Sequence, residues 1–218
     1  MTAPVILAAM AAEDGIQSCV FDALMIHEET AMNTQKQATI DRYPVSLRIL
    51  HWVRAVVIAG LLWAGWHMTG LDDEVVSKYT LYYPWHKSFG VLAFLLVLVQ
   101  IALRVRTPTL PQPPQTLAAH ERFLSRFVQR SMYVLIVAVP LMGYSMSSTY
   151  TMSDGVFFFG VNLPELLAKN DDWFVVFQGL HKVLAYTLLV LIVLHIAGAL
   201  KHRFFDRDPR NNVLRRML

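Results

Sequence analysis

Apolar residues run in four long stretches, and charged residues are largely confined to the gaps between them. The stretches cover roughly Leu47–Met68, Trp85–Leu103, Phe127–Met146 and Phe177–Leu200. Each approaches or exceeds the roughly 20 residues needed to cross hydrocarbon. The pattern predicts an all-α integral membrane four-helix bundle, with no segment left for a separate soluble module. Pro108, Pro111, Pro113 and Pro114 follow the second stretch; they exclude helix there and predict an extended link. His120–Arg130 reads as an amphipathic lead-in to the third helix, with Arg122, Arg126 and Arg130 at four-residue spacing. Pro140 lies inside the third stretch, where a membrane helix accommodates it as a kink.

Composition agrees, since charged residues are 16% of the chain and apolar residues 55%, whereas soluble domains carry about 25% charged residues. Charge between the helices sets the orientation. The link between the second and third stretches carries Arg104, Arg106, Arg122, Arg126 and Arg130 against Glu121. The C-terminal segment carries Lys201, Arg203, Arg207, Arg210, Arg215 and Arg216 against Asp206 and Asp208. The other two loops are acidic, with Asp72, Asp73 and Glu74 in one and Asp154, Glu165, Asp171 and Asp172 in the other. Cytoplasmic loops hold the Lys/Arg excess, so both termini are expected in the cytoplasm. The formal charge of +3 reflects this asymmetry and gives no reason to expect nucleic acid. The single cysteine, Cys19, excludes a disulfide framework and covalent c-type haem attachment.

Residues 1–41 stand apart as an N-terminal tail, leaving 42–218 as the predicted transmembrane domain. Residues 1–31 contain acids and neither Lys nor Arg, a poor match to a signal peptide. The segment reads either as a flexible tail or as a misassigned start, with Met32 the more natural opening.

Four histidines inside the apolar stretches carry the candidate chemistry: His51, His86, His181 and His195. A histidine within hydrocarbon is costly unless partnered. Fourteen residues separate His181 from His195, which places them about 21 Å apart in depth and within roughly 40° of one helix face. With alternating helix direction, His86 matches the depth of His181, and His51 that of His195. Small residues follow each by one turn: Ala55, Gly90, Ala185 and Ala199. This is the layout for two b haems, each held by the pairs His51/His195 and His86/His181. Zinc fits less well, because two histidine pairs so far apart cannot complete one tetrahedral site. Helix-to-helix hydrogen bonding by histidine is the reading without chemistry, and predicts a colourless protein.

Haem propionates favour guanidinium partners. Arg48 and Arg54 lie three residues either side of His51, with Arg104 and Arg130 at the same level; one or two of these are the candidate anchors, Arg48 and Arg54 foremost. Lys87 and Lys182 directly follow the two outer histidines, where they either attract an anion or snorkel to the interface. His202 continues the fourth-helix stripe seven residues past His195.

Leu-His-Trp at 50–52, His-Lys-Ser-Phe-Gly at 86–90, Leu-His-Lys at 180–182 and Leu-His-Ile-Ala-Gly-Ala-Leu-Lys-His at 194–202 resemble the bacterial cytochrome b561 family, in its diheme superoxide oxidase type. Arg-Tyr-Pro at 42–44 and Val-Pro-Leu-Met-Gly at 139–143 fit as well. The resemblance implies a multi-pass protein of the bacterial inner membrane. It implies two b haems on the four histidines, oxidation of superoxide at the periplasmic face and reduction of ubiquinone, with His202 near the quinone. The acidic outer loops suit an alternative donor equally, a cationic periplasmic redox protein that feeds or drains the quinone pool through this subunit.

Overall fold

The computed structural model describes residues 25–28, 42–108, 110–111, 116–153, 155–206, 208 and 211–218. The chain divides into Met1–Arg42 and Tyr43–Leu218. In the first unit, residues 25–28 form a helical turn; the rest of the expected tail, and Pro113, Pro114, Asp154, Arg207 and Arg210, lie outside the described residues.

The second unit holds four helices: α1 (Val45–Thr69), α2 (Tyr83–Arg106), α3 (Ala119–Thr149) and α4 (Asp171–Phe204). All four are long and apolar enough to cross a membrane. Each exceeds its apolar stretch, because capping residues outside the hydrocarbon pattern extend it. Pro44 precedes α1 in extended conformation, as suits a residue that lacks an N–H. The chain enters α2 through a π-helical turn, Lys78–Tyr82. This turn immediately precedes Pro84, which cannot donate to a carbonyl one turn back. At the start of α3 the Glu121 carboxylate accepts from the Ala118 N–H at 3.2 Å. The amphipathic lead-in and the third span are thus one continuous helix, which runs through Pro140. Asn170 caps α4, its Oδ1 accepting from the Trp173 N–H at 3.1 Å. Asp171 and Asp172 in its first turn and Lys201, His202 and Arg203 in its last complement the helix dipole.

Ile58, Val97, Leu135, Ile136 and Leu188, drawn from all four helices, form the buried core. Leu188 lies seven residues from both His181 and His195, and Ile58 seven from His51. Heptad spacing returns each to its histidine's face, so the core is a belt at mid-height between two histidine levels. Large apolar side chains such as Val56, Val99, Val134 and Val190 are exposed on the outside, as a lipid-facing surface requires.

One element lies outside the all-helical expectation. Val156–Phe158 (β1) and Val161–Leu163 (β2) pair as an antiparallel hairpin, with Val156 opposite Leu163. It packs on the start of α2. Ser88, fully buried, accepts from the Phe159 N–H at 3.2 Å and sits 3.2 Å from the Phe157 carbonyl. Phe159 at the hairpin tip has φ 46°, the left-handed region that a bulky residue occupies only under constraint. Its ring meets Trp85 and Phe89, with centroids 5.8 and 5.4 Å away.

Candidate haem sites

α1 and α4 bring His51 and His195 together, with ring centroids 6.4 Å apart. α2 and α4 do the same for His86 and His181, at 6.2 Å. A metal held in line between two imidazole nitrogens at about 2.0 Å each places the ring centroids roughly 6.3 Å apart. Both pairs border one cleft of about 2650 Å³ that runs between the helices. Ala55, Gly90, Ala185, Gly198 and Ala199 border it too, so the small residues one turn from each histidine face the same space. A Cβ on Gly90 or Gly198 would meet no protein atom within 4 Å.

Two further glycines admit the histidines themselves. A Cβ on Gly143 would lie 3.1 Å from both Cε1 and Nδ1 of His181, and one on Gly65 would lie 3.3 Å from Cε1 of His86. With Gly143 clear, His181 Nδ1 reaches the Val139 carbonyl at 2.9 Å. An imidazole that donates its Nδ1–H to a carbonyl presents Nε2 as the ligand, oriented and made more basic. The Val-Pro-Leu-Met-Gly run therefore has a local physical role, which its order alone does not disclose. His86 Nδ1 is buried without a partner among the described residues.

Charge near the His51/His195 level is cationic. Arg54 is 7% exposed, borders the cleft, and has a buried Nη1 with no hydrogen-bond partner among the described residues. Arg54 and Arg104 both lie against the Tyr133 ring, 5.5 and 5.8 Å from its centroid. Gln100 Nε2 donates to the Tyr133 hydroxyl at 3.0 Å. A buried guanidinium facing a cleft calls for an anion there. Of the two expected propionate anchors, Arg54 is so placed, whereas Arg48 does not line the cleft. Arg104 and Tyr133 join the site from α2 and α3; the sequence offered Arg104 only as one of several arginines at that level.

At the acidic end Lys87 and Lys182 both border the cleft. Lys87 Nζ donates to the Gly155 carbonyl at 3.2 Å, which ties it to the hairpin. His202 borders the cleft at the opposite end, and its Nδ1 meets Asp206 Oδ2 at 2.8 Å. That hydrogen bond from His202, with a second from Asn211, holds the Asp206 carboxyl below the usual carboxylate range. His67 lies off both pairs, stacked on Trp63 with centroids 5.3 Å apart.

The residues present therefore fit b haem: paired imidazoles at the required separation, small residues facing the porphyrin's space and a buried guanidinium with one nitrogen left for a carboxylate. Such an arrangement defines a membrane protein of electron transfer. A family model described as prokaryotic cytochrome b561 matches residues 42–218, and the chain belongs to that family. Cytochrome b561 homolog 2 of Escherichia coli (strain K12) is 30% identical over 184 residues, covering 83% of this chain and 93% of its own. A protein of Yersinia pestis named probable superoxide oxidase CybB is 25% identical over 175 residues, covering 77% of this chain and 91% of its own. Family membership makes the chain a b-haem-binding, helical membrane protein of electron transport.

Proposed function

We propose that the chain binds two b haems, one between His86 and His181 and one between His51 and His195, and moves electrons from superoxide at the periplasmic face to ubiquinone. The observation that carries this reading is the stacking of two histidine pairs, at 6.2 and 6.4 Å, along one helix. A haem held by two imidazoles has no open position and supplies one-electron transfer rather than oxygen binding. The protein's part is placement and field. His181 is oriented by the Val139 carbonyl, and Arg54, with Arg104 on the same Tyr133 ring, would hold a propionate. In balance, two superoxide anions each lose one electron to give two O2, and one ubiquinone gains two electrons and two protons to give ubiquinol.

Orientation follows from the loops: the arginine-rich end faces the cytoplasm of a bacterial inner membrane, and both ends of the 43–218 unit lie there. Superoxide as donor draws support from the name of the Yersinia relative and from Lys87 and Lys182 bordering the cleft. The engagement of Lys87 by Gly155 and the acidic loops favour a second reading, in which a cationic periplasmic protein is the donor. The reduced-minus-oxidised spectrum of the purified protein, followed by a superoxide pulse and then ubiquinone, separates them. Two b haems reduced within the pulse and reoxidised by ubiquinone are expected. Two haems inert to superoxide select the protein-fed reading, and a colourless protein refutes both.

A further inference from the structure

We propose that Asp206, itself fixed by Asn211, is the positioning partner that makes His202 the proton donor to the reduced quinone; this rests on the quinone reading above. His202 lies seven residues beyond His195, about 10 Å further along the same face of α4. Its side chain is 12% exposed and that of Asp206 16%. Asp206 Oδ2 takes two hydrogen bonds, from His202 Nδ1 at 2.8 Å and from Asn211 Nδ2 at 3.0 Å. Asn211 is buried, and its Oδ1 accepts from the Thr116 hydroxyl in the link before α3. Three chain segments thus converge to hold one carboxylate against one imidazole.

The same tail closes the cleft beside them. Trp52 Nε1 donates to the Met217 carbonyl at 2.9 Å, and the Tyr43 N–H donates to the Arg216 carbonyl at 3.1 Å. Leu117, Val213, Leu214 and Met217 border the cleft together with His202, which gives a ligand there apolar walls beside the imidazole. With Nδ1 committed to Asp206, Nε2 is the ring nitrogen available to a ligand there. A quinone that gains an electron in an apolar site gains a base at its oxygen. The His202 Nε2–H passes its proton to that oxygen, and the ring is left neutral with its Nδ1–H still on Asp206. Water at the cytoplasmic end restores the Nε2 proton, and a second round completes the quinol. Asp206 stays ionised throughout and stabilises the protonated ring, the part a buried carboxylate plays behind a catalytic histidine. Among the described residues, the charges near the ring include Glu121 of α3, paired with Lys201, and Arg216 of the tail, which borders the same cleft.

The test compares wild type with Asp206→Asn, Asp206→Glu and Asn211→Ser at equal haem content. Ubiquinone reduction is followed from pH 5 to 9 after superoxide or dithionite has reduced the haems. Asp206→Asn is expected to slow reduction about tenfold at neutral pH; Asp206→Glu restores part of the rate, and Asn211→Ser loses less. A readout free of turnover is the 15N-histidine NMR spectrum in detergent. There His202 should carry its proton on Nδ1 in wild type and lose that fixed tautomer in Asp206→Asn. Wild-type rate and tautomer in Asp206→Asn would overturn the inference while leaving the quinone reading intact. Wild-type haems that reduce normally but pass nothing to ubiquinone would overturn that reading, and this inference with it.

Discussion

Gly143 and Gly90 face histidines and cleft in different ways, and their alanine variants should separate protein packing from cofactor packing. Gly143→Ala puts a methyl 3.1 Å from the His181 ring, so the ring must give by a few tenths of an ångström, which strains its hydrogen bond to the Val139 carbonyl. Haem content by pyridine haemochrome is expected to fall from about two per chain toward one, with the His86/His181 haem lost. Gly90→Ala meets no protein atom within 4 Å, yet it borders the cleft; a similar loss there reports a porphyrin face. Gly60→Ala, which also meets no protein atom and lies off the cleft, should keep full haem content, being at worst neutral in a helix interior. Equal loss in all three would remove the argument from small residues.

Spacing along one helix made Gly90 legible in the sequence, because a residue one turn from a ligand shares its face. Gly65 and Gly143 oppose their histidines across a helix pair, a relation that no count along the chain exposes. Arg48 and Arg54 show the same limit. Three residues either way rotates each about 60° to opposite sides of His51, and only the packing of α3, through Tyr133, decides which side faces the cleft.

Among the elements, the hairpin was the least legible. Three-residue strands leave too short an alternation to read, and the apolar run Val156–Phe159 gives no face. Ser88 explains why it forms where it does, since a small hydroxyl on α2 satisfies a backbone amide of the loop. Ser88→Ala leaves the Phe159 N–H unpaired at a buried contact, a loss of about 1–3 kcal/mol in local stability. Hydrogen exchange across residues 155–163 should accelerate accordingly, while α2 itself stays protected. Unchanged exchange would mean that the aromatic contacts of Phe159 suffice.

The loop into α2 carries a pH-sensitive tie. Lys78 is buried and donates to Asp73 Oδ1 at 2.6 Å and to the Leu71 carbonyl at 2.8 Å. The hydrogen bond from Lys78, joined by one from Tyr79, holds the Asp73 carboxyl below its ordinary value. A depressed carboxyl contributes above its unfolded value of about 3.9. The contribution disappears as pH falls through the lowered folded value. Exchange at residues 70–78 should therefore rise on acidification below about pH 4, and Asp73→Asn should show the faster exchange at neutral pH, the difference vanishing as wild type is acidified.

At the scale of the molecule, the four spans and the pairing of depths were legible because the membrane forces long apolar helices and alternating direction. The convergence of the link, the end of α4 and the tail at the arginine-rich end was not, since its contacts join residues as far apart as Trp52 and Met217. That closure gives a further expectation. Trp52→Phe frees the Met217 carbonyl, and limited proteolysis should then cut the segment 211–218 sooner, with both haem spectra retained. Equal cleavage rates would show that the tail is held from its Asn211 end instead.

α4 packs along α3 yet buries only Leu188 fully, and it supplies a histidine to each proposed haem. Its place in the bundle is then set as much by what its histidines grip as by neighbouring side chains. Biosynthesis inherits this dependence. A newly inserted chain without haem would lack that grip and offer the cell's membrane proteases a less firmly held bundle. In iron-starved cells the polypeptide should disappear with unchanged messenger, and return on haem supply without new transcription, so that abundance reports the cell's haem supply.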